Sequence, residues 1–148
     1  MTAEEYRLFL KGKVKKNKTE PSIYKLLDKV KLDYACAPSV IAAKVFIKPL
    51  SVNQCWRGRR FKTEIYEDYE ALLLRELPDM TTPKAPYQIE FNFGFSSASS
   101  DWDNPCKPLQ DILQKRYGFN DKLIKKATIT ITKVEKGCEF FEFALSSM

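Results

Sequence analysis

The run YQIEFNFGF, from Tyr87 to Phe95, constrains the fold more than any other stretch. Tyr87, Ile89, Phe91, Phe93 and Phe95 alternate with Gln88, Glu90, Asn92 and Gly94. Successive side chains of a strand point to opposite faces, so this pattern predicts a half-buried strand whose apolar face needs a second layer over it.

Helical spacing supplies that layer. From Thr63, the residues Ile65, Tyr66, Tyr69, Leu72, Leu73 and Leu74 keep mostly to one side until Pro78 stops the helix. A second helix around Leu109, Ile112 and Leu113 is expected to end at Tyr117 and Gly118, where glycine relieves a left-handed cap. Upstream, AAKVFIKPLSVN reads as a strand over Val45, Phe46 and Ile47 that leaves at Pro49. Downstream, LIKKATITITKVEKG and CEFFEFAL read as two strands joined in a terminal hairpin around Lys136 and Gly137. The expected order is β-α-β-α-β-β, an α/β or α+β domain with a mixed sheet over residues 41–148.

Residues 1–40 are expected to form a short helical and basic extension. Thr2 and Glu5 make a capping-box pattern for a first helix, and KGKVKKNK is a solvated basic linker. Ile23, Leu26, Leu27 and Val30 fit one face of a second helix, which Pro38 in ACAPSV breaks.

At 148 residues the chain can bury a core without a disulfide or metal staple. Its formal charge of +6 favours a polyanionic partner, nucleic acid first, because cations that displace condensed counterions gain free energy from ion release. A merely basic surface explains the charge equally well. The chain has no histidine, which removes Ser-His-Asp, Cys-His and imidazole-metal chemistry and leaves carboxylates, lysine, tyrosine or a carboxylate-bound metal. Cys36, Cys55, Cys106 and Cys138 have no CxxC spacing, so zinc is not expected. No secretory leader and no membrane-spanning run is recognised, and the expectation is a cytoplasmic protein with reduced thiols and no membrane partner.

The chemistry concentrates in SSDWDNPCKPLQDILQ, residues 99–114. If DWD is extended, Asp101 and Asp103 share one face and Trp102 takes the other. Two adjacent carboxylates repel unless a cation lies between them, and an oxygen-only donor set suits magnesium or manganese. The competing reading is a two-acid loop that only caps a helix.

Asn104 as N-cap and Pro105 as first helical residue would set Lys107 in the first turn over the carboxylates, where it could stabilise an anionic transition state. Pro108 threatens the first intrahelical hydrogen bond and could delay the start of the helix. Asp111 reads as the i, i+4 surface partner of Lys107. Asp121, after the Gly118 turn, could return to the site as a third carboxylate. The loop QCWRGRRFK offers Arg57, Arg59, Arg60 and Lys62 either as a solvated turn or as phosphate contacts, for which the planar guanidinium is suited. Trp56 and Trp102 are expected to pack internally rather than stack on bases.

DWDNPCKPLQDIL followed by YGFND resembles the RusA-like family of Holliday junction resolvases. The shared pattern is DxDN, a lysine four residues after the second Asp, Asp-x-Leu, and an acidic pair after a glycine turn. KPLSVNQCWRGRRFKTEIYEDYEAL is similar to the family's Pro-x-x-x-Asn segment, basic loop and Tyr-containing helix, so the resemblance covers about residues 44 to 145 in order. It implies a magnesium-dependent endonuclease, with manganese a possible substitute, acting as a homodimer on branched DNA, the four-way junction. It further implies that Asp101, Asp103 and Asp121 form the catalytic, metal-binding cluster and that Lys107 assists the scissile phosphate. Asn120 stands where the family carries the first acid of its pair. The alternative expectation is a non-catalytic DNA- or RNA-binding accessory protein.

Overall fold

A computed structural model describes residues 22–58, 61–98 and 100–148 of the chain. Its main sheet comprises β1 (Leu32–Ala37), β2 (Val40–Val45), β5 (Tyr87–Phe95), β6 (Ile124–Lys133) and β7 (Phe140–Ser147), in the spatial order β1-β2-β7-β5-β6. The β5–β6 pair is parallel and the other pairs are antiparallel. Two short strands, β3 (Trp56–Arg57) and β4 (Phe61–Lys62), form a separate small hairpin. The fold is mixed α+β, with helices α1 (Glu64–Glu76) and α2 (Cys106–Tyr117) covering one face of the sheet.

The alternation in β5 does what its sequence predicts: Tyr87, Ile89, Phe91, Phe93 and Phe95 are all buried. They join Phe141, Phe143 and Leu145 of β7 and Ile41, Ala43 and Val45 of β2 in one core. Helix α1 starts where the Thr63 side chain accepts a hydrogen bond from the Tyr66 amide, and Glu64 and Glu67 favour the positive end of its dipole. It contributes Tyr66, Tyr69, Leu72 and Leu73 to the core. Helix α2 contributes Leu109, Ile112, Leu113 and Tyr117 and ends at Gly118, whose φ of 70° is the left-handed conformation expected there. Across the other sheet face run Asp33, Lys44, Glu142, Asn92 and Thr130 in register, a polar row with no helix over it among the described residues.

Three expectations are corrected. First, β6 and β7 do not pair with each other, because β5 lies between them. The FFEFAL strand is the more apolar and gains most from two neighbours, while β6, with Lys and Thr on its exposed positions, takes the edge. Second, residues 23–30 form no helix beyond a single 3-10 turn, Ile23–Leu26. Ile23 and Leu26 are exposed, whereas Tyr24 and Val30 are buried in the core and Leu27 packs partly against it; the Tyr24 ring lies 5.2 Å from that of Tyr69 and its hydroxyl donates to the Lys48 carbonyl. Third, the boundary near residue 40 falls inside a hairpin: Pro38 and Ser39 connect β1 to β2, so β1 belongs to the sheet rather than to an appendage. The expected first helix and the lysine-rich linker lie outside the described residues. No helix among the described residues is long and apolar enough to cross a membrane.

Candidate functional site

The chain leaves β5 at Phe95 and crosses residues 96–105 before α2 begins. Ser96 Oγ donates to Glu139 Oε1 at 2.7 Å, tying the start of this loop to the β6–β7 connection. Its far end is fixed by the amide of Val52, which donates to the carbonyl of Asn104 at 2.8 Å. Between these anchors Asp101, Trp102 and Asp103 are exposed, with Trp102 and Asp103 in a bend rather than an extended run. The extended geometry that would put both acids on one strand face is therefore absent.

Local hydrogen bonds explain the bend. The Cys106 amide donates to the Asp103 carbonyl at 3.1 Å, and the Cys106 thiol to the Trp102 carbonyl at 3.3 Å. Asn104 does not cap the helix; its side-chain amide reaches Asp101 Oδ2 at 3.5 Å, and Pro105 takes the N-cap position. With the helix starting at Cys106, Pro108 is its third residue. An amide there would have no intrahelical acceptor, so the proline deletes nothing and its ring is buried in the core.

Lys107 is exposed, with Nζ 2.8 Å from Asp111 Oδ1, the i, i+4 pair read from the sequence. Asp121 opens a 3-10 turn, Asp121–Leu123, at the start of β6 and is half-buried. Asn120, in place of the family's other acid, caps that turn by accepting from the Lys122 amide at 3.0 Å. Gln110 Nε2 donates to Asp121 Oδ2 at 3.3 Å, which ties Asp121 to the second turn of α2. Asp101, Asp103 and Asp121 are nevertheless not assembled into an ion cage: among the described residues, no group of three or more Asp, Glu, Cys or His could hold a metal ion.

The basic hairpin stands at the other end of the Val52–Asn104 bond. Ser51 and Gln54 form a reciprocal capping box around the 3-10 turn Val52–Gln54, and the Thr63 amide donates to the Cys55 carbonyl at 2.8 Å, closing the base of the hairpin. Arg57 is exposed, while Arg59 and Arg60 lie outside the described residues. Lys62 is held by Glu70, Nζ to Oε2 at 3.0 Å, and Lys115 of α2 reaches the same carboxylate, Nζ to Oε1 at 2.7 Å. Burial raises the Glu70 pKa, but the hydrogen bonds from Lys115 and Lys62 outweigh it and leave the carboxyl below its ordinary range.

The tryptophans depart from expectation. Trp102 is 60% and Trp56 40% exposed, the latter edge-on to Tyr66 with ring centroids 5.8 Å apart, and Phe61 beside the basic loop is 73% exposed. Two thiols are held in the protonated form: burial, then the charge of Asp103, pushes Cys106 up to about 11, and burial, then Asp111, does the same to Cys55. The sequence reading missed Gln110, Glu70 and Lys115. Lys107, Asp111 and Lys115 follow one another at four-residue spacing, a visible signal for Lys115, whereas Glu70 meets Lys115 across 45 residues and carries no local signal. No family model matches the chain, and a comparison with curated proteins finds no match, so the likeness to RusA-type resolvases rests on the residues named above.

Proposed function

We propose that the protein is a magnesium-dependent, structure-selective DNA endonuclease that resolves four-way junctions as a homodimer with a RusA-like domain. One observation carries this reading most directly. The backbone bond from Val52 to Asn104 joins the turn that leads into the hairpin strand bearing Arg57 to the end of the loop bearing Asp101 and Asp103, so these two described segments are held side by side. A phosphodiester nuclease needs both, cations for the backbone and carboxylates at the scissile phosphate.

Magnesium is commonly held by one or two carboxylates together with substrate phosphate oxygens and water, and two exposed acids, Asp101 and Asp103, are compatible with that mode. Such an ion supplies Lewis acidity and an activated water. Among the described residues the protein itself gathers no group of three or more such ligands. Lys107 would serve the phosphate only by leaving Asp111, an exchange that costs little because Lys107 is exposed and Asp111 partly so. Paired cuts on opposed strands suit a two-fold homodimer with one site per subunit. Within the chain, the apolar face of α1 is already spent in the core, so a dimer would use another surface.

The test is cleavage of a four-way junction against linear duplex, with and without magnesium. Asp103→Asn should abolish magnesium-dependent cutting while junction binding survives; retained cutting rejects the assignment. The second reading, a non-catalytic DNA- or RNA-binding accessory protein, is favoured by the lack of a gathered triad and predicts binding indifferent to magnesium and to Asp103→Asn.

A further inference from the structure

Three elements converge on Glu70. Its carboxylate, at the end of the second turn of α1, is 15% exposed and receives Lys62 from β4 at 3.0 Å and Lys115 from α2 at 2.7 Å. The two lysines are not buried with it, their side chains being 30% and 52% exposed. Two ammonium groups thus rim one anion, and one carboxylate cannot neutralise both.

We propose that Lys62 and Lys115 form a phosphate-binding site for the DNA backbone in which the Glu70 carboxylate occupies the anion's place until the backbone arrives. This deepens the nucleic-acid reading above and rests on it. A phosphate offers the same class of anionic oxygen acceptor as the carboxylate and would draw on the same two donors. The site continues along α2, because Lys107 and Lys115 are eight residues apart and so about 12 Å apart along the helix axis. That distance equals roughly three to four nucleotide steps of one strand. Glu70 and Asp111 each hold a lysine of this face at hydrogen-bond distance, so both act as internal competitors of phosphate. Glu70 consequently limits non-specific affinity as well as orienting the lysines.

The test is binding of a fluorescently labelled four-way junction by the full chain, followed by anisotropy across a salt series with magnesium removed by a chelator. Lys115→Gln should weaken binding by about threefold and reduce the slope of log affinity against log salt by about one. Glu70→Gln should tighten binding by about threefold, since it releases cations to the phosphates. If Glu70 is only a structural bridge, Glu70→Gln leaves affinity unchanged or weaker, which overturns the proposal. Lys115→Gln removes only one half-exposed partner, so it decides the matter should Glu70→Gln fail to fold: unchanged affinity and slope overturn the proposal on their own. Failure of the wider reading looks different, because the unmodified protein would then bind no junction at all, and the site proposed here would fall with it.

Discussion

The two ends of α2 are built on opposite plans. At the C-terminal end, Arg116 donates from Nε and Nη2 to the Leu77 carbonyl and pairs with Asp79, Tyr117 donates its hydroxyl to the Pro78 carbonyl, and Thr82 donates to the Tyr117 carbonyl. These bonds satisfy carbonyls around the end of α1 and lock the two helices together. At the N-terminal end there is no side-chain cap, the acids of the preceding loop are exposed, and Lys107 has only a surface partner. One end spends its polar groups on the protein; the other leaves them exposed. The same helix therefore anchors and presents, and the division follows from which polar groups are satisfied internally.

The comparison can be broken at its base by removing the buried stripe that both ends share. Leu113→Ala, at a side chain 1% exposed, should cost about 2–5 kcal/mol in chemical denaturation, and a cost below that range would mean the helix is not held by its core face. Arg116→Met should cost about 1–3 kcal/mol by leaving the Leu77 carbonyl and neighbouring groups short of donors. Lys107→Ala should change stability by no more than about 0.5 kcal/mol yet slow junction cleavage more than it weakens binding. A large stability loss there would erase the distinction between the two ends.

A pH series sharpens the same contrast from the side of α1. Glu70 has its pKa depressed in the folded protein, so its ionised form stabilises the fold above the ordinary carboxylate pKa, and that contribution is lost as pH falls through the depressed value. The gap in thermal midpoint between the unmodified protein and Glu70→Gln should be present near neutrality and narrow on acidification. A gap that widens in acid would have the sign wrong.

Much of this architecture was legible in the residues themselves. Period-two alternation placed β5, the helical spacing from Thr63 placed α1, and Gly118 placed the end of α2, because these are local signals. What escaped was non-local. Strand neighbours depend on which strand gains most from two flanks, and alternation in β6 and β7 says nothing about β5 lying between them. Residues 23–30 misled in part: Val30 and Leu27 of the helically spaced set reach the core, but Ile23 and Leu26 face solvent and Tyr24, outside that set, is buried. At the site, the Lys107–Asp111 pair was readable from spacing, but the bend at Trp102 and Asp103 was not, because backbone bonds from Cys106 set it. Asp121 shows the same limit: a short sequence distance from α2 did not foretell that Gln110 would be its hydrogen-bond partner.

The position of β7 has a consequence for biosynthesis. This strand comes last in the chain yet lies third of five in the sheet, so during translation the β1–β2 hairpin and the β5–β6 pair have no common neighbour until Phe140–Ser147 emerges. Until then each pair has a bare strand edge, and completion of the sheet waits for the final strand to slot between them. Ribosome-bound chains stalled before Phe140 should remain sensitive to protease, whereas chains stalled after the whole strand clears the exit tunnel should resist it.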